Sequence, residues 1–208
     1  MIESPPAADL ILASASPRRR ELLAGLGLAV QVLPADIDET RQLSEPVVEY
    51  VTRLALSKAA AVRARTLSAL PVLAGDTVVA LGEENFDKPR DRDDAIRMLT
   101  ALGGKTHAVH TAVALDHAGA ARAALVSSRV TFMPIDAAAA AAYWASGESA
   151  DKAGAYGIQG LGGRFVAHLE GSYSAVMGLP VFETANLLAE SGIDIVHRAR
   201  MDSGPSAP

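Results

Sequence analysis

The sequence predicts an α/β fold built on a mixed sheet, and two observations predict it. From Leu10 to Gly103, short apolar runs alternate with stretches of helical periodicity, the pattern of strands and crossover helices. Beyond them, His107–Leu115 and Ala124–Phe132 form a pair of longer strand-like segments joined by a polar turn at Asp116–Ala120, which adds antiparallel neighbours to the sheet. With 208 residues, 50% of them hydrophobic, the chain can bury one sizeable core. The expected organisation is a single domain over residues 10–197, between a flexible start at 1–9 and a disordered, proline-containing tail at 198–208.

The elements follow in order. Leu10–Ala13 reads as a short buried strand, and Pro17–Leu26 as a helix ended by Gly25 and Gly27. Val30–Leu33 makes a second strand. A long helix is expected from Glu45 to Leu67, with Ser44 as its cap and Pro46 in its first turn. Val72–Leu81 is the most apolar strand candidate of the chain. Asp91 opens a helix with Asp94 as its acidic N3 residue; Ile96, Met98 and Leu99 supply its apolar face and Gly103 stops it. After the paired strands comes an alanine-rich helix, Ala137–Ala145. From Ser146 to Gly178 glycine becomes frequent, which predicts tight turns, close backbone approaches or irregular strands. Pro180 opens a last helix that closes at Gly192, and the sequence contains no internal repeat.

Composition excludes whole classes of function. There is no cysteine, so a disulfide scaffold and a thiolate zinc site are ruled out. A net charge of -5 and an aromatic content of 4% argue against a stable nucleic-acid partner, which needs many phosphate neutralisations and stacking platforms. Met1–Asp9 lacks the basic start and apolar run of a signal peptide, and no stretch has the length of a membrane span. A cytoplasmic protein without a membrane partner is expected, and a homodimer is left open.

Four constellations carry chemistry. In Ser14-Ala15-Ser16-Pro17-Arg18-Arg19-Arg20 a strand turns into a helix whose start holds three cations, opposing the macrodipole. A bound phosphate reverses that penalty, because helix N-termini with guanidinium groups are anion sites; the alternative is that the arginines splay into solvent. In Ala74-Gly75-Asp76-Thr77-Val78-Val79 a carboxylate interrupts an apolar strand, which is costly unless it binds a metal, a cation or a substrate proton. Gly75 beside it fits a place where backbone approaches a ligand. Lys58 falls on the apolar stripe of Val51, Leu54 and Val62, either turned to the core side or snorkelling to its edge. Lys88, in Asp87-Lys88-Pro89-Arg90, is by itself an ordinary loop lysine. The segment from Asp151 to Gly160 surrounds Gln159 with glycines, and alone it reads as a surface loop.

Other motifs fail. Gly104-Lys105-Thr106 lacks the first glycine of a P-loop, since Leu99 stands there, and Phe165 replaces the last glycine of a dinucleotide fingerprint in Gly160–Phe165. His107 and His110 are three apart on a strand, so they face opposite sides and should not share a metal. No serine, histidine and acid set forms a triad.

Taken together, the segments resemble the Maf family of nucleotide pyrophosphatases from about Leu10 to Leu188. The resemblance is carried by Leu12-Ala13-Ser14-Ala15-Ser16-Pro17-Arg18-Arg19, Leu56-Ser57-Lys58-Ala59, Gly75-Asp76-Thr77, Lys88-Pro89-Arg90 and Gly154-Ala155-Tyr156-Gly157-Ile158-Gln159-Gly160. It implies a three-layer α/β/α fold, similar to that of inosine triphosphatases, with an elongated mixed sheet and two lobes around a central cleft. It also implies hydrolysis of a nucleoside triphosphate to the monophosphate and pyrophosphate with a divalent cation, Mg or Mn. By the same resemblance Asp76 activates water, and Arg18, Thr77 and Gln159 match positions of base specificity. Ser14, Arg19, Lys58 and Lys88 match the substrate pocket. Asp76 and Glu39 match metal ligands, with Asp36 and Asp38 as alternatives to Glu39. The Lys152–Gly160 segment with Gln159 looks like the branch acting on dTTP and UTP, with modified pyrimidine nucleotides as further substrates and the 7-methyl-GTP branch of the same family as the alternative. The rival reading from another class is a non-catalytic nucleotide- or nucleic-acid-binding regulator of cell division.

Overall fold

Why the cleft lies where it does follows from how one strand changes partners. The computed structural model describes residues 8–195, so the tail at 198–208 and most of the N-terminal segment expected to be flexible lie outside the described residues. The sheet has seven strands: β1 (Leu10–Leu12), β2 (Val30–Val32), β3 (Val72–Leu81), β4 (Glu84–Phe86), β5 (Thr106–His117), β6 (Ala120–Phe132) and β7 (Val166–Glu170). Its order is β2-β1-β3-β5-β6-β7, with β4 pairing the far end of β3. The β2-β1-β3 part is parallel and the remainder antiparallel, so the sheet is mixed as expected. The helices are α1 (Pro17–Gly25), α2 (Val47–Arg63), α3 (Arg92–Leu102), α4 (Ala137–Trp144), α5 (Tyr173–Met177) and α6 (Val181–Glu190).

Strand alternation divides the core into layers. Ile11, Val72, Ala74, Ala112 and Ala114 face α2, packing on Val51, Leu54, Ala55, Ala59 and Val62. Their neighbours Leu10, Leu12, Leu73, Val113 and Leu115 face the other way, onto Leu23 of α1 and Leu187 and Leu188 of α6. That is an α/β/α sandwich. A further apolar cluster sits at the distal end of the sheet, where Val79, Val109, Val130 and Phe132 meet α3, α4 and the chain around Tyr156. β3 runs from the sandwich into this second lobe.

The structure shifts element ends for identifiable reasons. The long helix starts at Val47 with Pro46 as its N-cap, not at Glu45 with Ser44 as the cap. A residue preceding proline is pushed out of helical space, so Glu45 cannot begin the helix, and Ser44 adopts a left-handed φ of 59°. It ends at Arg63, whose guanidinium binds the carbonyls of Ser68 and Leu70 and so folds the chain back. The hairpin turn expected at Asp116–Ala120 narrows to Ala118 and Gly119, both at positive φ, the geometry of a tight two-residue turn. Within the glycine-frequent stretch lie two short elements that the sequence left undifferentiated, β7 and α5. Asp91 caps α3 through its side chain, accepting from the Asp94 amide at 2.8 Å. Among the described residues no helix is long and apolar enough to cross a membrane.

His107 and His110 face opposite sides of β5: His107 Nε2 meets the Tyr156 hydroxyl at 2.9 Å, while His110 Nδ1 meets Ser127 Oγ. His107 is only 2% exposed, edge-on to Phe132 and Tyr156, and burial pulls its pKa down to about 4. A histidine whose folded pKa lies below its unfolded value stabilises the fold above pH 6.5, and that contribution is lost as pH falls toward 4. By pH 5 the loss should be about 2 kcal/mol. Urea unfolding at pH 7 and pH 5 should therefore show a smaller pH difference in His107→Phe than in wild type, and equal differences would reject this role.

Candidate functional site

Between its pairing with β1 and its pairing with β4, β3 has one open edge. β1 accompanies it only through Val72 and Leu73, and β4 joins only from Val79. Residues 74–78 are thus paired on the β5 side alone. Since the Leu73 carbonyl accepts from Ala13, ladder alternation turns the backbone NH and C=O of Gly75 and Thr77 toward this edge. Above it opens a cleft of about 850 Å³. Ser14, Arg18, Arg19, Glu39, Lys58, Asp76, Thr77, Lys88 and Gln159 all line it. Residues far apart in sequence are brought together by the strand gap, the β1–α1 turn and the loops that close over it.

The floor is a charged pair on the α2 side. Asp76 is 8% exposed and Lys58 9%. Lys58 Nζ donates to Asp76 Oδ1 at 2.6 Å and stands 3.0 Å from Glu39 Oε1. The α2 stripe therefore turns Lys58 to the core side, where two carboxylates satisfy it. Glu39 is brought there by the chain before α2, and the Tyr50 hydroxyl donates to its main-chain carbonyl at 2.9 Å. Of its neighbours, Asp38 lines the cleft but accepts from the Thr40 amide at 2.9 Å, and Asp36 does not line it.

The opposite wall is the start of α1. Ser16 caps it, accepting from the Arg19 amide at 3.4 Å, and the Ser14 hydroxyl accepts from the Ser16 amide at 3.2 Å. The arginines there take three different paths. Arg19 turns inward: its Nε donates to the Gly178 carbonyl at 2.7 Å, Nη1 to Ser14 Oγ at 2.8 Å and Nη2 to Thr77 Oγ1 at 3.3 Å. Burial lowers its pKa, with Asp76 pulling the other way. Arg18 crosses the cleft to Asp151, Nη1 to Oδ2 at 2.9 Å. Arg20 is exposed and does not line the cleft, so two of the three arginines reach it and not all three as expected.

Gly75 also has a reason for lacking a side chain that the sequence does not show. A Cβ there would stand 3.0 Å from Arg19 Nε and 3.3 Å from the Ala112 carbonyl. The glycine makes room for an arginine of the protein itself. Asp87 was not singled out from the sequence, although it precedes Lys88 and lines the same cleft. Burial raises its pKa, and the charges of Asp76 and Glu39 raise it further. Tyr50, also in the lining, is pushed up to about 12 by burial and then by Asp87, Asp76 and Glu39. Asp151 enters the sequence reading only as the start of the glycine-bearing segment, because an acidic residue in a loop carries no spacing signal for a partner as distant as Arg18.

A cleft with an acid–lysine pair on its floor and a helix N-terminus with two arginines on its wall is the kind of polar, charge-lined site found in α/β enzymes. The chain belongs to the Maf family: the profile described as "Maf-like protein" matches residues 9–191. It is 51% identical over 184 residues to a protein of Saccharophagus degradans named dTTP/UTP pyrophosphatase, covering 87% of this chain and 88% of that one. A protein of Escherichia coli O157:H7 with the same name is 52% identical, over 87% of this chain and 92% of the relative. Among solved structures, a nucleoside-triphosphatase / dITP/XTP pyrophosphatase from Mycobacterium abscessus aligns over 87% of this chain and 93% of that one, with 15% identity and a TM-score of 0.40.

Proposed function

We propose that this protein is a cytoplasmic, metal-dependent pyrophosphatase that hydrolyses dTTP and UTP to the nucleoside monophosphate and pyrophosphate. The observation that carries the reading is the placement of Asp76 with Lys58 on the floor of the same cleft whose wall is the arginine-bearing start of α1. The names of relatives about half identical in sequence support the substrate class.

The reaction needs a positioned water, a proton acceptor and neutralised phosphate oxygens. The α1 amides and Arg19 bind phosphate oxygens, helped by Lys88 at the rim. Water attacks the α-phosphorus, Asp76 takes its proton, the bond to the β-phosphate bridging oxygen breaks, and pyrophosphate leaves. Lys58 holds the Asp76 carboxylate in one orientation while this happens. The donor set fits Mg or Mn: Asp76 and Glu39 already flank one cation, the Lys58 ammonium, with hard oxygen atoms. Among the described residues no group of three or more acidic, histidine or cysteine side chains stands together as a metal site, and Asp76 and Glu39 are the residues that would hold the ion. An ion held there would supply charge neutralisation at the phosphate oxygens.

Gln159 lines the same cleft, and its amide can donate to a pyrimidine carbonyl and accept from its ring NH; cytosine reverses that pattern and is met only by the flipped amide. The test is pyrophosphate release across a panel of triphosphates including dTTP, UTP, dCTP and 7-methyl-GTP. dTTP and UTP should lead, and preference for 7-methyl-GTP would move the chain to the other branch. No release from any of them would favour a non-catalytic regulator. Chelation should lower turnover and added Mg or Mn should restore it; full activity after exhaustive metal removal would reject the metal.

A further inference from the structure

Beneath the Gln159 turn lies a polar knot that the reaction does not use. Glu148, just after α4, accepts at Oε1 from the Tyr143 hydroxyl at 2.7 Å and from the Gly162 amide at 3.1 Å. Its Oε2 accepts from the Leu161 amide at 2.7 Å. The Tyr143 hydroxyl in turn accepts from the Gly157 amide at 3.1 Å. Backbone amides on both sides of Gln159 are therefore tied to one tyrosine–glutamate pair. Neither side chain of that pair lines the cleft.

The glycines of the turn answer to the same pair. A Cβ at Gly157 would stand 2.8 Å from Lys152 Cε and 3.0 Å from Glu148 Oε1, one at Gly162 would stand 2.6 Å from the Tyr143 hydroxyl and 2.7 Å from the Gly157 carbonyl, and one at Gly160 would collide with Glu148 Oε2. Their lack of side chains lets the backbone wrap the carboxylate. Tyr143 is itself fixed, 5% exposed and edge-on to Phe165 at 5.3 Å between ring centroids. The main-chain carbonyl of Glu148 accepts from Lys152 Nζ, whose other partner is Asp151 Oδ1 at 2.8 Å.

We propose that Glu148, held by Tyr143, is a positioning residue for base selection: its carboxylate shapes the 157–162 turn so that the Gln159 amide meets the pyrimidine edge. The inference rests on the reading of the protein as a pyrimidine triphosphate pyrophosphatase. A bound carboxylate that organises several backbone amides fixes a loop more tightly than a neutral side chain, because each hydrogen bond is charge-assisted. Its loss frees the turn without removing any side chain that lines the cleft.

Two readouts on the whole protein test this. The first is kcat and KM for dTTP and dCTP in wild type, Glu148→Gln, Glu148→Ala and Tyr143→Phe. The dTTP-over-dCTP ratio of kcat/KM should fall about tenfold in Glu148→Ala, the worth of one well-placed hydrogen bond, through KM for dTTP with kcat largely kept. Glu148→Gln and Tyr143→Phe should fall part of the way. A proportional loss on both substrates, or no change, would reject the positioning role. The second readout is amide hydrogen exchange in the ligand-free protein, where Leu161 and Gly162 should lose protection in Glu148→Ala; unchanged protection would overturn the clamp itself. A wild type that releases no pyrophosphate from dTTP would defeat the base-selection role with the functional reading, while the exchange result would still decide whether Glu148 holds the turn.

Discussion

Asp76→Asn should release pyrophosphate from dTTP about a thousandfold more slowly than wild type, within the range expected when a positioned base is removed. The amide keeps the size and planar shape of the carboxylate but can neither take a proton nor carry the negative charge that a divalent ion requires. The stability cost should be smaller. Breaking a buried ion pair can cost several kcal/mol because it strands the other charge. Here Lys58 keeps a second acceptor, Glu39 Oε1 at 3.0 Å, whose side chain is 54% exposed and reaches solvent. The expected loss is therefore about 1–2 kcal/mol, visible as a lower Tm with an intact unfolding transition. Near-normal turnover in a metal-replete assay would reject Asp76 as the base. A protein that no longer unfolds cooperatively would show instead that the carboxylate is needed for the fold.

Much of this site was legible because its residues break local rules. Asp76 announces itself as a charge inside an apolar strand, and Lys58 as a lysine in register with Val51, Leu54 and Val62, all three of which are buried. The strands β1 and β3 and the helix α3 were readable because periodicity and caps agreed. Elsewhere the signal was weak for physical reasons. α5 spans Tyr173–Met177, too short to show an amphipathic repeat, and β7 follows a 3-10 turn in a glycine-rich stretch. Alanines between Ala120 and Ala124 erase the alternation that would have extended β6 to the turn. The open edge of β3 could not be read at all, since it depends on where two other strands stop.

The different fates of the α1 arginines were partly readable. Residues four apart share a helix face, and Leu23, which is fully buried, lies four after Arg19. Arg18 and Arg20 are each about 100° away around the helix, which turns them aside from that face. What the sequence does not reveal is the set of acceptors waiting inside: the Gly178 carbonyl, Ser14 and Thr77. Those are assembled from three separate parts of the chain.

Arg19→Ala should lower the stability of the ligand-free protein by about 2–4 kcal/mol, whereas Arg18→Ala should change it by less than about 1 kcal/mol. The first removes a charged donor from three acceptors and leaves the Gly178 carbonyl without that bond. The second removes an ion pair to Asp151, whose side chain is 55% exposed, and also takes a cation from the positive end of the α1 dipole, so the two effects partly cancel. Ligand separates the two roles further. Pyrophosphate at about 100 times its Kd should stabilise wild type by about 2.7 kcal/mol through mass action. If the α1 start is the phosphate site, both variants should lose part of that shift, and Arg18→Ala should do so with its ligand-free melt nearly unchanged. Thermal melts with and without pyrophosphate on wild type and both variants make the comparison. A full ligand shift in both variants would place the phosphates away from α1, and a large ligand-free loss in Arg18→Ala would make the cleft-crossing ion pair with Asp151 a structural strut.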